Sequence, residues 1–439
     1  MATPLSEPLV LPCGVTLPNR LVKAAMTEGL STPQNTVSPE LITLYNAWSE
    51  GGAGLLITGN VMVDRRYLEA AGNVVIDGKQ SQSALEGLSR MAEAGKTSGS
   101  KIVMQISHAG RQTPKAVCER PVAPSAVPLD MPGRSIAPFG NPRALTTEEV
   151  DDVVARFVNA ITVAEQTGFD GVQVHGAHGY LISQFLSPRT NQRTDKWGGS
   201  LENRARLLLE IIRQARQSVK QGFAIGVKLN SADFQQGGFS HEDCLEVVDW
   251  LNAEQVDFIE ISGGNYEQPQ MMGVDFGAPP EHDGRLAAST QAREAYFVDY
   301  AKSVSARTNA PVMATGGFRT RAAMEAALTS GMVDLVGLAR PLCAEPDLCT
   351  RLLSGEAMAA LDHVGGKTIG PTRLLGPDSP FKLVRALNAW AKQGWYMSQI
   401  SRLAKGESPD TDLGLFGALG EMQKAQKNAV SAYKQDFEQ

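Results

Sequence analysis

The chain has 439 residues, a formal net charge of −6, and 42% hydrophobic against 20% charged residues. That length suits one large α/β barrel with an appendage, and the composition is that of a globular protein able to bury a full core. No basic run tracks a phosphate backbone, which argues against a nucleic-acid partner, and no apolar run reaches the roughly 18 residues of a membrane span.

The five cysteines are scattered and form no C-x-x-C pair. This argues against a disulfide framework and against a four-cysteine metal or iron–sulfur site. The opening MATPLSEPLVLP has neither the basic region nor the long apolar stretch of a signal peptide, so a cytoplasmic location is expected.

In chain order, LVLPCGVTLPNR at 9–20 reads as a small hairpin placed to plug the N-terminal end of a barrel. Short apolar, β-rich runs follow at 21–25, 55–58, 102–106, 171–175, 224–229, 258–262, 312–315 and 335–338. Between and after them lie segments of helical period at 39–50, 82–95, 147–167, 201–220, 241–254, 290–308, 321–330 and 345–353. Eight such pairs favour a parallel sheet closed into a (β/α)8 TIM barrel over an open sheet, and no dinucleotide fingerprint follows the first strand. The loops at 109–146, 176–200 and 263–289 are long and rich in Pro, Gly and Arg. In a barrel they sit on the C-terminal face, where sites are built.

The barrel is assigned to residues 1–356, and residues 357–439 to a linker and a C-terminal helical extension. Within 381–405, Trp390, Trp395 and Tyr396 lie on a helical pattern and must be buried, either on the chain's own barrel or on a neighbouring subunit of a homo-oligomer. A membrane surface is the less favoured destination.

Two strand ends carry small residues. The seventh reads Thr315-Gly316-Gly317, and the eighth Leu338-Ala339-Arg340-Pro341. Loops after strands seven and eight commonly hold phosphate, because backbone N–H groups can approach the oxygens there, and Arg340 would add a bidentate cation. Tight turns and a surface arginine would read the same way one at a time.

The end of the fourth strand reads His175-Gly176-Ala177-His178-Gly179-Tyr180. Imidazole N–H groups can polarise a carbonyl or nitro oxygen, and a phenol with an ordinary pKa of about 10 can deliver a proton while staying protonated at neutral pH. The same H-x-x-H could be a metal pair, but no third ligand is evident, and no metal is assigned. A pair of core histidines would explain the imidazoles but not the tyrosine.

From residue 175 onward, HGAHGYLISQFLSPRTNQRTDKWGGSLENRARLLLEII resembles the signature of the old yellow enzyme family, and the likeness runs from about residue 10 to 356. The resemblance implies an FMN-dependent ene-reductase that takes hydride from NAD(P)H and passes it to a small activated alkene (an enone, enal, nitroalkene or maleimide). It gives His175 and His178 the grip on the substrate's activating oxygen, and Tyr180 the proton. It gives Gln105 the pyrimidine edge of the flavin and Lys228 a place where the family usually has arginine. Ala25, Met26, Thr27 and Gly59 fall along the ring, and Gly316, Gly317, Ala339 and Arg340 at the phosphate. Asn191, Arg193, Asp195, Gly198, Gly199, Glu202, Asn203 and Arg204 resemble a brace for the loop, with Ser200 capping the following helix.

The chain departs from both main branches of the family. Gly29 stands where one branch has tyrosine, Thr27 replaces that branch's cysteine, and the histidine pair differs from the His/Asn pair of the yeast-type branch. Two other readings stay open. One is a flavin-independent phosphate-binding barrel, an aldolase or isomerase, with Lys228 as nucleophile; the other is a silent ligand-binding barrel.

Overall fold

The short apolar runs become eight barrel strands: β1 (Leu21–Lys23), β2 (Leu55–Ile57), β3 (Lys101–Ser107), β4 (Gly171–Gly176), β5 (Ala224–Asn230), β6 (Phe258–Ser262), β7 (Val312–Thr315) and β8 (Leu335–Leu338). Each pairs in parallel with the next, and β8 closes on β1 through Val336 opposite Leu21 and Leu338 opposite Lys23. β4, β5 and β6 are buried along their whole length, as parallel strands covered on both faces must be. This computed structural model describes residues 3–130, 138–262, 300–370, 374–376 and 379–437.

The outer helices are α1 (Pro39–Glu50), α2 (Gln82–Ala94), α3 (Thr147–Gln166), α4 (Leu201–Ser218), α5 (His241–Ala253), α6 (Arg321–Thr329) and α7 (Leu348–Ser354). Their starts are chemically specified. Ser38 accepts from the Leu41 N–H ahead of Pro39, Thr146 and Glu149 form a capping box, and Ser200 accepts from the Asn203 N–H.

Sequence and structure part company in the loops. Within 176–200 lies a short helix, Leu181–Leu186, with all six residues buried. A helix without a polar face has no amphipathic period to read. Strand pairs too short to show alternation, Val61–Met62 with Val74–Val75, extend the sheet beside β3. The loop expected at 263–289 and the first ten residues of the helix expected at 290–308 lie outside the described residues; residues 300–305 are helical.

The hairpin forms between Leu9–Val10 and Thr16–Leu17, and Leu11 and Leu17 pack with Val22, Leu55, Val103 and Phe258 to plug the barrel. Phe258 fills the interior because its register partner is Gly226, where a Cβ would come within 2.2 Å of the ring.

Beyond the barrel run α8 (Lys382–Ala404) and α9 (Leu415–Phe437), packed on each other, with α8 also against α1 and the short helix Pro341–Ala344. Trp395 is fully buried, donates Nε1–H to the Leu413 carbonyl and stacks on His363, while Trp390 is only half-buried. Among the described residues no helix is long and apolar enough to cross a membrane.

Candidate active site

His175 on β4 stands in register with Lys228 on β5, and Lys228 with Glu260 on β6, so the three side chains leave adjacent strands at one height. Lys228 Nζ lies 2.9 Å from Glu260 Oε1. The other carboxylate oxygen of Glu260 accepts from Gln173 Nε2 at 2.7 Å, and Gln173 Oε1 accepts from Gln105 Nε2 at 2.6 Å. Gln105 and Lys228, both picked out from sequence, are thus the two ends of one buried polar chain. Its middle members, Gln173 and Glu260, were not picked out.

Past the strand end the backbone turns sharply. His178 takes φ +63°, a left-handed conformation uncommon outside glycine, and its N–H donates to Asn230 Oδ1 at 3.0 Å. Its Nε2 lies 2.6 Å from Ser262 Oγ. His175 accepts the Ala177 N–H at Nδ1, 3.2 Å away, which leaves the proton of a neutral ring on Nε2. The His175 ring centroid is 5.0 Å from that of His178 and 4.9 Å from that of Tyr180, both edge-on. Tyr180 opens the short helix, its carbonyl accepting from the Gln184 N–H at 2.8 Å.

Burial first, and the Lys228 charge second, hold both imidazoles well below their ordinary pKa of 6.5. They are therefore neutral N–H donors rather than cations. His108, buried on β3's loop, is pushed down to about 4 by desolvation. These shifts have a testable sign. The unfolded chain takes up protons below pH 6.5 while the native rings refuse them, so stability present above pH 6.5 is lost as pH falls toward 4. His108 alone accounts for about 2 kcal/mol between pH 7.5 and 5. The urea midpoint is expected to drop across that interval, and to drop less in His108→Asn; an equal drop in that variant would show His108 charged in the native state.

The remaining sequence-selected residues fall into two groups. Around β1 and β2, Gly59 N–H donates to Glu28 Oε1 at 2.9 Å, an oxygen that also accepts the Tyr45 hydroxyl. Thr27 Oγ1 donates to Glu69 Oε1 at 2.8 Å, and Asn60 Nδ2 to the other oxygen of Glu69. Both polar groups are thus turned to carboxylates absent from the sequence reading, Glu28 and Glu69. Met26 packs its sulfur 3.5 Å from Cys343, and Ala25 lies half-buried against the barrel interior.

At the ends of β7 and β8, Gly316 and Gly317 take φ +100° and +82°, and Thr315 sits in register with Gly337. A Cβ at Gly337 would lie 2.1 Å from Thr315 Oγ1, so a bare glycine there leaves the hydroxyl its place. That oxygen is buried and has no hydrogen-bond partner among the described residues. Ala339 is half-buried and Arg340 exposed, with no ion pair among the described residues. The β7–β8 end and the histidine pair on β4 therefore face each other across the barrel mouth. Among the described residues no third metal-ligating side chain joins the histidines.

Comparison with known proteins identifies the family of the chain. The family model described as NADH:flavin oxidoreductase / NADH oxidase matches residues 4–358. The NADH-dependent flavin oxidoreductase iliE of Hypocrea jecorina is 40% identical over 357 residues, covering 78% of this chain and 86% of that protein. The NADH-dependent flavin oxidoreductase iccE of Talaromyces variabilis is 34% identical over 416 residues, covering 91% and 98%. The solved structure of the old yellow enzyme homologue from Zymomonas mobilis has a TM-score of 0.64 at 25% identity, covering 81% of this chain and 93% of that one. The match runs from the hairpin past the last barrel helix, and the chain belongs to the NADH:flavin oxidoreductase / NADH oxidase family of old yellow enzyme type, an NAD(P)H-dependent flavin oxidoreductase.

Proposed function

We propose that the chain holds FMN across the barrel mouth and reduces activated alkenes, with His175 and His178 gripping the substrate oxygen and Tyr180 supplying a proton. The observation that carries this reading is the pair of buried, neutral imidazoles packed beside a buried phenol. Gly316, Gly317, Ala339 and Arg340 suit the phosphate, beside the Thr315 hydroxyl, which has no hydrogen-bond partner among the described residues. Ala25, Met26, Thr27, Gly59, Gln105 and Lys228 suit the ring. Bound flavin would supply the hydride that NAD(P)H provides, and deliver it to the alkene's β-carbon.

The protein's own part is electrostatic and acid catalysis. The Nε2–H of His175 donates to a carbonyl or nitro oxygen and stabilises the charge that grows there; a neutral donor does so without itself losing a proton. Tyr180 gives the α-carbon its proton from the same end of the strand. Lys228 meets the site already paired, so what it offers a ligand is spare N–H groups rather than an uncompensated charge. The same ion pair occupies the amine that an aldolase or isomerase would need as nucleophile.

Flavin released by heat from the purified protein is expected to be FMN; recovery of FAD would overturn that assignment. Arg340→Ala should weaken retention of the flavin on dialysis, and unchanged retention would remove Arg340 from the phosphate site. Turnover of NAD(P)H with cyclohexenone tests the reaction itself, and its absence from a flavin-loaded protein would overturn it.

A further inference from the structure

The last helix ends on the substrate side of the site. Tyr433 of α9 is 4% exposed and shares one apolar cluster with Tyr180, Met62, Leu68, Val75 and Ala109, while Ala429 and Val430 pack against it from one turn earlier. Its hydroxyl donates to the Arg65 carbonyl at 2.9 Å. One turn on, Asp436 accepts from Arg65 at 2.8 Å and from Gln34 Nε2 at 3.1 Å. These bonds pin α9 to the segments that follow β1 and β2. At the other end of the tail, α8 brings the Met397 methyl within 3.7 Å of where a Cβ at Gly29 would stand. The tail thus crosses the face of the barrel from the β8 side to Tyr180.

We infer that α9 forms a wall of the alkene pocket and that Tyr433 is a specificity-determining residue, setting how bulky a substituent fits beside Tyr180. The inference rests on the reading of His175, His178 and Tyr180 given above. A phenol ring fixed at both its hydroxyl and its face holds its volume, whereas an alanine there would leave a cavity of ring size. A pocket bounded this way favours compact alkenes over aryl-substituted ones.

The test compares kcat/KM for cyclohexenone with that for a phenyl-substituted cyclohexenone, alongside the Kd of the corresponding saturated ketones. Tyr433→Ala is expected to raise the bulky-to-compact ratio at least about tenfold, the low end of what one methylene group is worth in an apolar pocket. Tyr433→Phe, which keeps the ring and loses the bond to the Arg65 carbonyl, should leave the ratio within about twofold. Should Tyr433→Ala fail to fold, Ala429→Leu carries the test with the opposite sign, lowering the ratio. An unaltered ratio in a variant that still turns over cyclohexenone would overturn the role of α9 alone. A wild-type protein whose flavin NADH reduces but no enone reoxidises would instead overturn the alkene reading beneath it.

Discussion

Tyr180→Phe is expected to leave reduction of the flavin by NAD(P)H within about twofold of wild type, and to slow alkene reduction by roughly 10² to 10⁴, the range of a positioned general acid. The asymmetry follows from where the proton is needed. Hydride leaving NAD(P)H requires no proton from the protein, whereas the carbanion formed at the α-carbon of an enone does. The substitution keeps the ring that packs beside His175 and in the apolar cluster with Tyr433, so binding should change little. Nitroalkenes should suffer less, because a nitronate is stable enough to leave and take its proton from water. Stopped-flow measurement of the two half-reactions separates the effects, and equal slowing of both would remove Tyr180 from the acid role.

Lys228→Met should cost stability rather than selectivity. Glu260 is wholly inaccessible, and without the lysine its carboxylate keeps, among the described residues, only the Gln173 amide. Removing one partner of a buried ion pair typically destabilises by about 3–5 kcal/mol, because the other charge stays behind unpaired. Replacing both, Lys228→Met with Glu260→Leu, should recover most of that loss. Denaturant titration of the single and double variants checks it. A double variant no more stable than the single would show that packing volume, not charge, is what the pair supplies.

Sequence revealed the barrel because each strand is a local apolar run, such as that at 224–229, followed by a segment of helical period, such as that at 241–254. The histidines and tyrosine were legible for the same reason, lying within six residues of one another. The polar chain from Gln105 through Gln173 and Glu260 to Lys228 was not, because it links four strands, with Gln105 level with Gln173 and Lys228 level with Glu260 two residues further on, and so exists only once register is fixed. Glu28 and Glu69 are similar cases, their partners Gly59 and Thr27 being set by loop paths that no periodicity records. Tyr433 is the furthest removed. Its helix has an ordinary polar tail pattern, and only folding brings it to the cluster around Tyr180.

Closure of β8 on β1 has a consequence for synthesis. A ribosome releases β1 at the start of the barrel and β8 near its end, so one edge of β1 waits unpaired while six strands and their helices emerge. Long-range closure of this kind slows folding, and an open strand edge invites pairing with other chains. The residue at the end of that strand is Lys23. During the wait it is a hydrated cation, a poor neighbour for another strand. In the finished barrel it is wholly buried, its Nζ donating to the Ile57 carbonyl at 2.8 Å and lying 4.2 Å from the Trp48 ring, and desolvation brings its pKa down to about 8. A lysine that discourages aggregation in the nascent chain is thus stored, once the ring shuts, against an aromatic face of α1.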